Sequence, residues 1–373
     1  MIEIALLTSG MIYCGAVLFF LIGILRERRN LPARNGEQPF VSVLAPARNE
    51  ADNILPTLQS LARQSYPPDR YEVLIIDDHS TDDTGGVVRQ FIEEQQLNHF
   101  QLLTHRNDGT RPTYKKNAIT YAMQFARGEI ILTTDADCRV QSGWIAAMAN
   151  CYDDQTGLVA GLITFDPAAE KTLFHKLQTL EFAGLVFAGV GAIGNHYPLI
   201  CNGSNLSYRR AAYDEIGGFE GHEHIPSGDD DLFMQNLHHF TKWKIRYNLD
   251  PASINVTQPV DTLRQFFNQR ARWASKSRSY PDAKTFALLL TIYTFYLLLL
   301  FSPALLWLKW ISIPTLLIAL ALKILPEFAL ISQALAILRR RDLLRYFPLA
   351  EAAQIPYIVL AGFAGFFKLF KWK

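Results

Sequence analysis

No charged side chain occurs between residues 4 and 25, and this run, "IALLTSGMIYCGAVLFFLIGIL", limits the possible folds more than any other stretch. About 20 consecutive apolar residues suffice to cross a bilayer as a helix, so a membrane anchor is expected here. Arg26, Arg28, Arg29 and Arg34 follow at once, and only "MIE" precedes. A cleaved signal peptide carries its positive charge first and ends in small residues. The reverse order predicts an uncleaved anchor with its C-terminal side in the cytoplasm. The other end is apolar too: residues 286–308 and 311–337 can span, and 347–367 is a weaker candidate. Arg339, Arg340 and Arg341 predict another cytoplasmic turn. A fourth span would put the final "KLFKWK" outside, against that charge rule, so the last segment reads also as re-entrant or interfacial.

Overall charge is balanced, 36 basic residues against 35 acidic, which indicates no general field for nucleic acid. The four cysteines show no paired spacing, so reduced thiols packed as small hydrophobes are expected and a zinc site is not. In outline the chain reads as an anchor (1–30), an α/β domain (38–260), an amphipathic interface helix (261–284) and a C-terminal membrane region of two or three spans (285–373).

Within the central part, apolar strands alternate with amphipathic helices: "FVSVLAPA", "YEVLIID", "FQLLTH" and "EIILTTD" are the strands. The pattern predicts a parallel, doubly wound sheet, whose ligands bind beyond the carboxyl ends of the strands. Polar clusters fall at those ends: "ARNE" (47–50), "DDHSTDD" (77–83) and "DAD" (135–137). Neither G-x-x-x-x-G-K-[ST] nor a post-strand G-x-G-x-x-G is present, so a bound phosphate must be met by a metal ion or by isolated basic side chains.

Asp135 and Asp137 flank a small residue, so both carboxylates can reach one cation, and hard oxygen ligands suit Mg²⁺ or Mn²⁺. An ordinary strand-end turn explains the same pair. "GDDD" (228–231) reads as a helix cap or as a general base, because neighbouring aspartates repel and raise the pKa of at least one. Gln269, Arg272 and Trp273 share helical spacing, fitting either a helix on the membrane surface or a grip on a diphosphate and a sugar. Lys115 and Lys116 open a helix, where an ammonium opposes the dipole, so they are solvated or paired with an anion. His222, Glu223 and His224 are read as loop residues, since no further ligand is spaced to complete a metal site, and His79 stays ambiguous. Lys323 and Glu327 are isolated ionisable groups in the spans, too few for a translocation path.

In order, "VSVLAPARNEADNI", "VLIIDDHSTDDT", "YKKNAITYA", "TTDADC", "GSNLSYRRAAYDEIGGF", "GDDDLF" and "QRARW" resemble the family-2 glycosyltransferases, inverting enzymes of the GT-A fold. The Q-x-x-R-W motif narrows the resemblance to membrane-embedded members: cellulose, chitin and hyaluronan synthases, and ceramide glucosyltransferases. The resemblance implies a Rossmann-like, doubly wound mixed sheet. It implies that Ala45, Arg48, Glu50 and Asp78 line the nucleoside pocket, with Lys115 near base and phosphate. Asp135 and Asp137 would hold Mg²⁺ or Mn²⁺ and the diphosphate, and Asp230 would be the base, with Asp229 and Asp231 as alternatives. Gln269, Arg272 and Trp273 would close on the diphosphate and acceptor. The expected donor is a nucleotide sugar, a UDP-sugar first, and the expected setting is a bacterial inner membrane with the catalytic domain cytoplasmic. Few spans favour one sugar passed to a lipid, and a processive polysaccharide synthase is the other reading. A catalytically dead binding module is disfavoured because the acids and the Arg-Trp pair are all retained.

Overall fold

A computed structural model of the chain describes residues 1–29, 38–106, 115–220, 228–275 and 283–369. Arg34, His222, Glu223, His224 and the segment 276–282 lie outside the described residues. In chain order, α1 (Ile2–Arg29) is followed by β1 (Val41–Ala47), α2 (Ile54–Ala62), β2 (Tyr71–Asp78), α3 (Thr84–Glu94) and β3 (Phe100–His105). Then come α4 (Lys115–Met123), β4 (Ile130–Thr133), α5 (Trp144–Ala149), β5 (Thr156–Gly161), β6 (Ile163–Phe165) and α6 (Leu173–Gly194). The chain continues through β7 (Leu206–Arg209), α7 (Arg210–Glu215), α8 (Asp231–Phe240), β8 (Lys244–Asn248), β9 (Asn255–Thr257) and α9 (Leu263–Ala274). It ends in α10 (Ala283–Leu300), α11 (Ser302–Trp307), α12 (Ile313–Ile337) and α13 (Phe347–Phe366).

These elements form two compact units, one of Gly23–Asp166 with Gly189–Gln258, the other of Met1–Ile22, Pro167–Ala188 and Pro259–Lys373. The first unit holds a seven-stranded sheet in the order β3-β2-β1-β4-β7-β5-β8. β1 to β4 run parallel, whereas β7 is antiparallel to both of its neighbours, so the sheet is mixed. Val41, Val43, Val73, Ile75, Ile130 and Leu132 are fully buried beneath α2, α3 and α5, which explains why the central strands read as near-continuous apolar runs. Chain order reverses between β1 and β4, making the switch point that doubly wound sheets use for ligands. Register puts Ala47 beside Asp77 and Asp78 beside His105, which brings the polar clusters to one edge. In the same unit, the end of α1 crosses the end of α6 at glycines: a Cβ on Gly23 would lie 1.8 Å from the Gly191 carbonyl oxygen. Only residues without side chains permit that approach.

Among the described residues, five helical segments are long and apolar enough to cross a membrane: Ile2–Arg29, Leu173–Gly194, Ala283–Leu300, Ile313–Ile337 and Arg341–Phe366. The second, α6, is not anticipated in the sequence reading, which runs one domain across it. Its apolar window is 72% buried within the protein, against 22–39% for the other four. Lys323 and Glu327, expected to be isolated, are not. Lys323 lies 3.0 Å from Glu327 and also pairs with Glu351 of α13. The partner is 28 residues away in sequence, beyond the reach of periodicity.

Candidate active site

Beyond β1 and β2 the backbone turns through Asn49 (φ 55°) and His79 (φ 59°), both in the left-handed region. Such conformations cost energy in a non-glycine residue and concentrate at functional sites. Short polar side chains stitch the two turns together. Thr81 N–H donates to Asn49 Oδ1 at 2.8 Å, Ala51 N–H to Asp82 Oδ2 at 3.1 Å, and Glu50 N–H to Thr84 Oγ1 at 2.9 Å. Arg48 is thereby exposed and Glu50 half-buried. Ala45, expected in the nucleoside pocket, is only 1% exposed and packs in the core of the sheet. Asp78 is buried, and its Oδ1 accepts from Nδ1 of His79 at 2.7 Å and of His105 at 2.8 Å. A carboxylate only accepts, so both imidazoles are fixed with the proton on Nδ1.

The "DAD" and "DDD" motifs converge through one lysine. Lys115, the first residue of α4, donates from Nζ to Asp135 Oδ1 at 2.5 Å and to the Gly203 carbonyl at 3.2 Å. The same ammonium lies 3.3 Å from Asp229 Oδ2. Burial pulls its pKa down, but Asp135, Asp229 and Asp230 more than offset this and hold the amine firmly protonated. Gly203 opens the "GSNLSYRRAAYDEIGGF" motif, but the sequence assigns it no role. A Cβ there would stand 2.8 Å from Asp229 Oδ2 and 3.3 Å from Lys115 Nζ, so a side chain would wedge the motifs apart. The three aspartates differ in setting. Asp231 is 4% exposed and its Oδ1 takes the Cys201 N–H at 2.9 Å, a bond that holds the backbone. Asp230 caps α8, its Oδ1 accepting from Asp231 N–H at 2.7 Å. Asp229 faces Lys115.

Ligand atoms of Asp135, Asp137 and Cys138 lie within 4.8 Å of one another. Burial, then the charges of Asp135 and Asp137, push the Cys138 thiol well up, so it stays protonated and is a poor ligand. That leaves an oxygen donor set, which fits Mg²⁺ or Mn²⁺ better than a thiophilic ion. Asp137 is exposed, beside Asp135 and Cys138. Desolvation there, then the charges of Asp135 and Glu50, push its carboxyl up from 3.8 to about 6. Unmet negative charge of this kind is what a cation relieves. Below that value a proton would compete with a cation at Asp137, and folded-state stability without metal falls as pH rises from about 4 to 6. Mn²⁺ titrated alone is therefore expected to bind more tightly as pH rises through 6, read by calorimetry. Asp137→Ala should lose both the binding and its pH dependence, and unchanged affinity would remove Asp137 from the ion site.

The Q-x-x-R-W residues belong to the other unit. A capping box opens α9: the Thr262 hydroxyl accepts from Gln265 N–H, and Gln265 Oε1 accepts from Thr262 N–H. Gln269, Arg272 and Trp273 follow on this helix, each half-buried, with the Trp273 ring 5.8 Å from that of Phe182.

A mixed seven-stranded sheet with acidic clusters at its switch point is a GT-A-type α/β fold, and the chain also carries helices long and apolar enough to cross a membrane. The chain belongs to glycosyl transferase family 21, whose profile matches residues 7–364. It is 28% identical over 254 residues to a beta-monoglucosyldiacylglycerol synthase of Nostoc sp., covering 67% of this chain and 51% of that one. It is 23% identical over 296 residues to a poly-beta-1,6-N-acetyl-D-glucosamine synthase of Staphylococcus epidermidis, covering 75% and 67%. The chain thus spans about half the length of the first of these relatives. A mannosyltransferase of Pyrobaculum calidifontis, solved with GDP-Man and Mn2+, shares the fold at a TM-score of 0.61 and 20% identity over 99% of both chains.

Proposed function

We propose that the protein is an inverting glycosyltransferase that moves one sugar from a nucleotide-sugar donor to a membrane lipid at the cytoplasmic face. The carrying observation is the Lys115 ammonium between Asp135 and Asp229, which gathers the "DAD" and "DDD" motifs at the sheet's switch point. A pocket built this way has one acidic side for an ion and diphosphate and another for an acceptor hydroxyl. Asp78, Arg48 and Glu50 hold the nucleoside, and a UDP-sugar is the donor to test first. Asp135 and Asp137 would hold Mg²⁺ or Mn²⁺, which when bound neutralises charge on the departing diphosphate. Lys115 fixes Asp135 and adds positive charge beside it. Asp230 removes the proton from the acceptor hydroxyl as that oxygen attacks the anomeric carbon opposite the diphosphate. The carbon inverts in one displacement, so no covalent sugar intermediate forms.

The apolar helices and the glycolipid-forming Nostoc relative favour a lipid acceptor. The polysaccharide-forming Staphylococcus relative supports the second reading, a processive synthase. Purified protein incubated with a panel of nucleotide sugars, Mn²⁺ and native lipid extract separates the two. A single glycolipid mass with stoichiometric nucleotide release is the expected result. A ladder of masses favours the synthase, and no nucleotide release with any donor overturns both.

A further inference from the structure

Arg270 lies inside the Q-R-A-R-W run, yet the motif as usually read skips it. It is 4% exposed, and a buried guanidinium requires partners on all its N–H groups. Nε donates to both Glu181 carboxylate oxygens at 3.0 and 3.1 Å, and Nη2 also pairs with Glu181. Nη1 donates to Gln269 Oε1 at 2.5 Å. The guanidinium carbon of the same group lies over the Trp273 ring, 4.3 Å from its centroid, and over the Phe266 ring at 4.6 Å. Helical spacing makes this possible, because Phe266, Arg270 and Trp273 follow at i−4 and i+3 on one side of α9. Glu181 belongs to α6 and is anchored in turn by the Tyr357 hydroxyl of α13, which donates to Oε1 at 2.8 Å. Gln178, one turn before Glu181, bonds the Val260 backbone in both directions, at 2.8 and 3.2 Å, just ahead of α9.

A charge pair that merely joined α6 to α9 would need only a point charge. Here the planar fork is divided between Glu181 and Gln269 while its central carbon lies against the indole. One side chain therefore sets the rotamers of two of the three motif residues. We infer that Arg270, held by Glu181, is a positioning residue that presets Gln269 and Trp273 for sugar transfer. The inference rests on the functional reading above, together with the role the resemblance implies for Gln269 and Trp273, closing on the diphosphate and acceptor. Lysine would keep the charge for Glu181 but has neither the second arm for Gln269 nor the flat face for Trp273.

The test compares Arg270→Lys, Trp273→Ala and the double variant in the full-length protein, with kcat and KM for nucleotide sugar measured separately. Misplacement of a positioning group by about 1 Å costs up to about 100-fold in rate, so Arg270→Lys is expected to lower kcat by about 10- to 100-fold with the melting temperature little changed. Mn²⁺ binding at Asp135 and Asp137 should stay intact, as a check on folding. If Arg270 acts through Trp273, the double variant should be little worse than Trp273→Ala alone; a purely structural contribution would multiply with it. Wild-type kcat in Arg270→Lys, or costs that multiply fully, would overturn the inference while leaving the functional reading intact. Normal transfer by Trp273→Ala would overturn the motif's assigned role and the inference with it. Should Arg270→Lys unfold, Tyr357→Phe loosens Glu181 more gently. It is expected to lower kcat without raising KM, and an unchanged kcat would count against the inference.

Discussion

Asp230→Asn is expected to lower kcat by about 10²–10⁴-fold, the range that removing a general base costs, while nucleotide-sugar affinity stays near wild type. The structure makes this substitution cleaner than most. Asp230 Oδ1 caps α8 by accepting the Asp231 N–H, and asparagine is as good a cap as aspartate, so the helix start should survive. Only the capacity to take a proton is lost. Its neighbours differ in kind. Asp231→Asn weakens a buried charge-assisted bond to the Cys201 N–H, and a lowered melting temperature should accompany any loss of rate. Asp229→Asn removes a carboxylate from Lys115 and should weaken donor binding as well as turnover. Single-turnover transfer, donor affinity and thermal unfolding of the three variants together identify the base. Normal transfer by Asp230→Asn would move that role to Asp229 or Asp231.

The parts of this site that could be read in the sequence are those built from neighbouring residues. Val41, Val43, Ile75 and Leu132 mark their strands because both faces of the central sheet are covered, and the polar turns after those strands follow from chain direction alone. The pairing of Lys115 with Asp135 and Asp229 is only hinted at, by an ammonium at a helix start where the dipole disfavours it. Gly203 and Ala45 show the opposite limit. Gly203 matters for what its missing Cβ leaves room for, and Ala45 lies in the core although the polar cluster that follows it is at the strand end. Helix α6 escaped because Lys176, Glu181 and several glycines dilute its apolar run. Gly191 and Gly194 make sense only once α1 lies against them.

Lys323→Met carries the largest expected effect on stability. Lys323 is 1% exposed in the middle of α12, where its ammonium pairs with Glu327 and Glu351 and donates to Gln354 Oε1 at 2.6 Å. Tyr13 of α1 donates to Glu327 Oε1 at 2.7 Å and contacts the Tyr296 hydroxyl of α10 at 3.0 Å. Tyr296 donates to Gln354 at 3.0 Å, so four helices meet in one polar cluster inside an apolar bundle. Lys323, Glu327 and Glu351 depend on each other here, because they are buried among apolar side chains, where no water is at hand to replace a lost partner. Methionine matches the lysine stem in length but leaves Glu327 facing Glu351 without a cation, at a cost of about 3–5 kcal/mol, typical of breaking a buried pair from one side. Neutralising all three positions together, as Lys323→Met with Glu327→Gln and Glu351→Gln, should cost markedly less, since no buried charge is then stranded. Thermal unfolding in detergent of the single and triple variants measures the difference. A triple variant less stable than Lys323→Met would mean that the ion pairs themselves, and not the avoidance of a stranded charge, hold the four helices together.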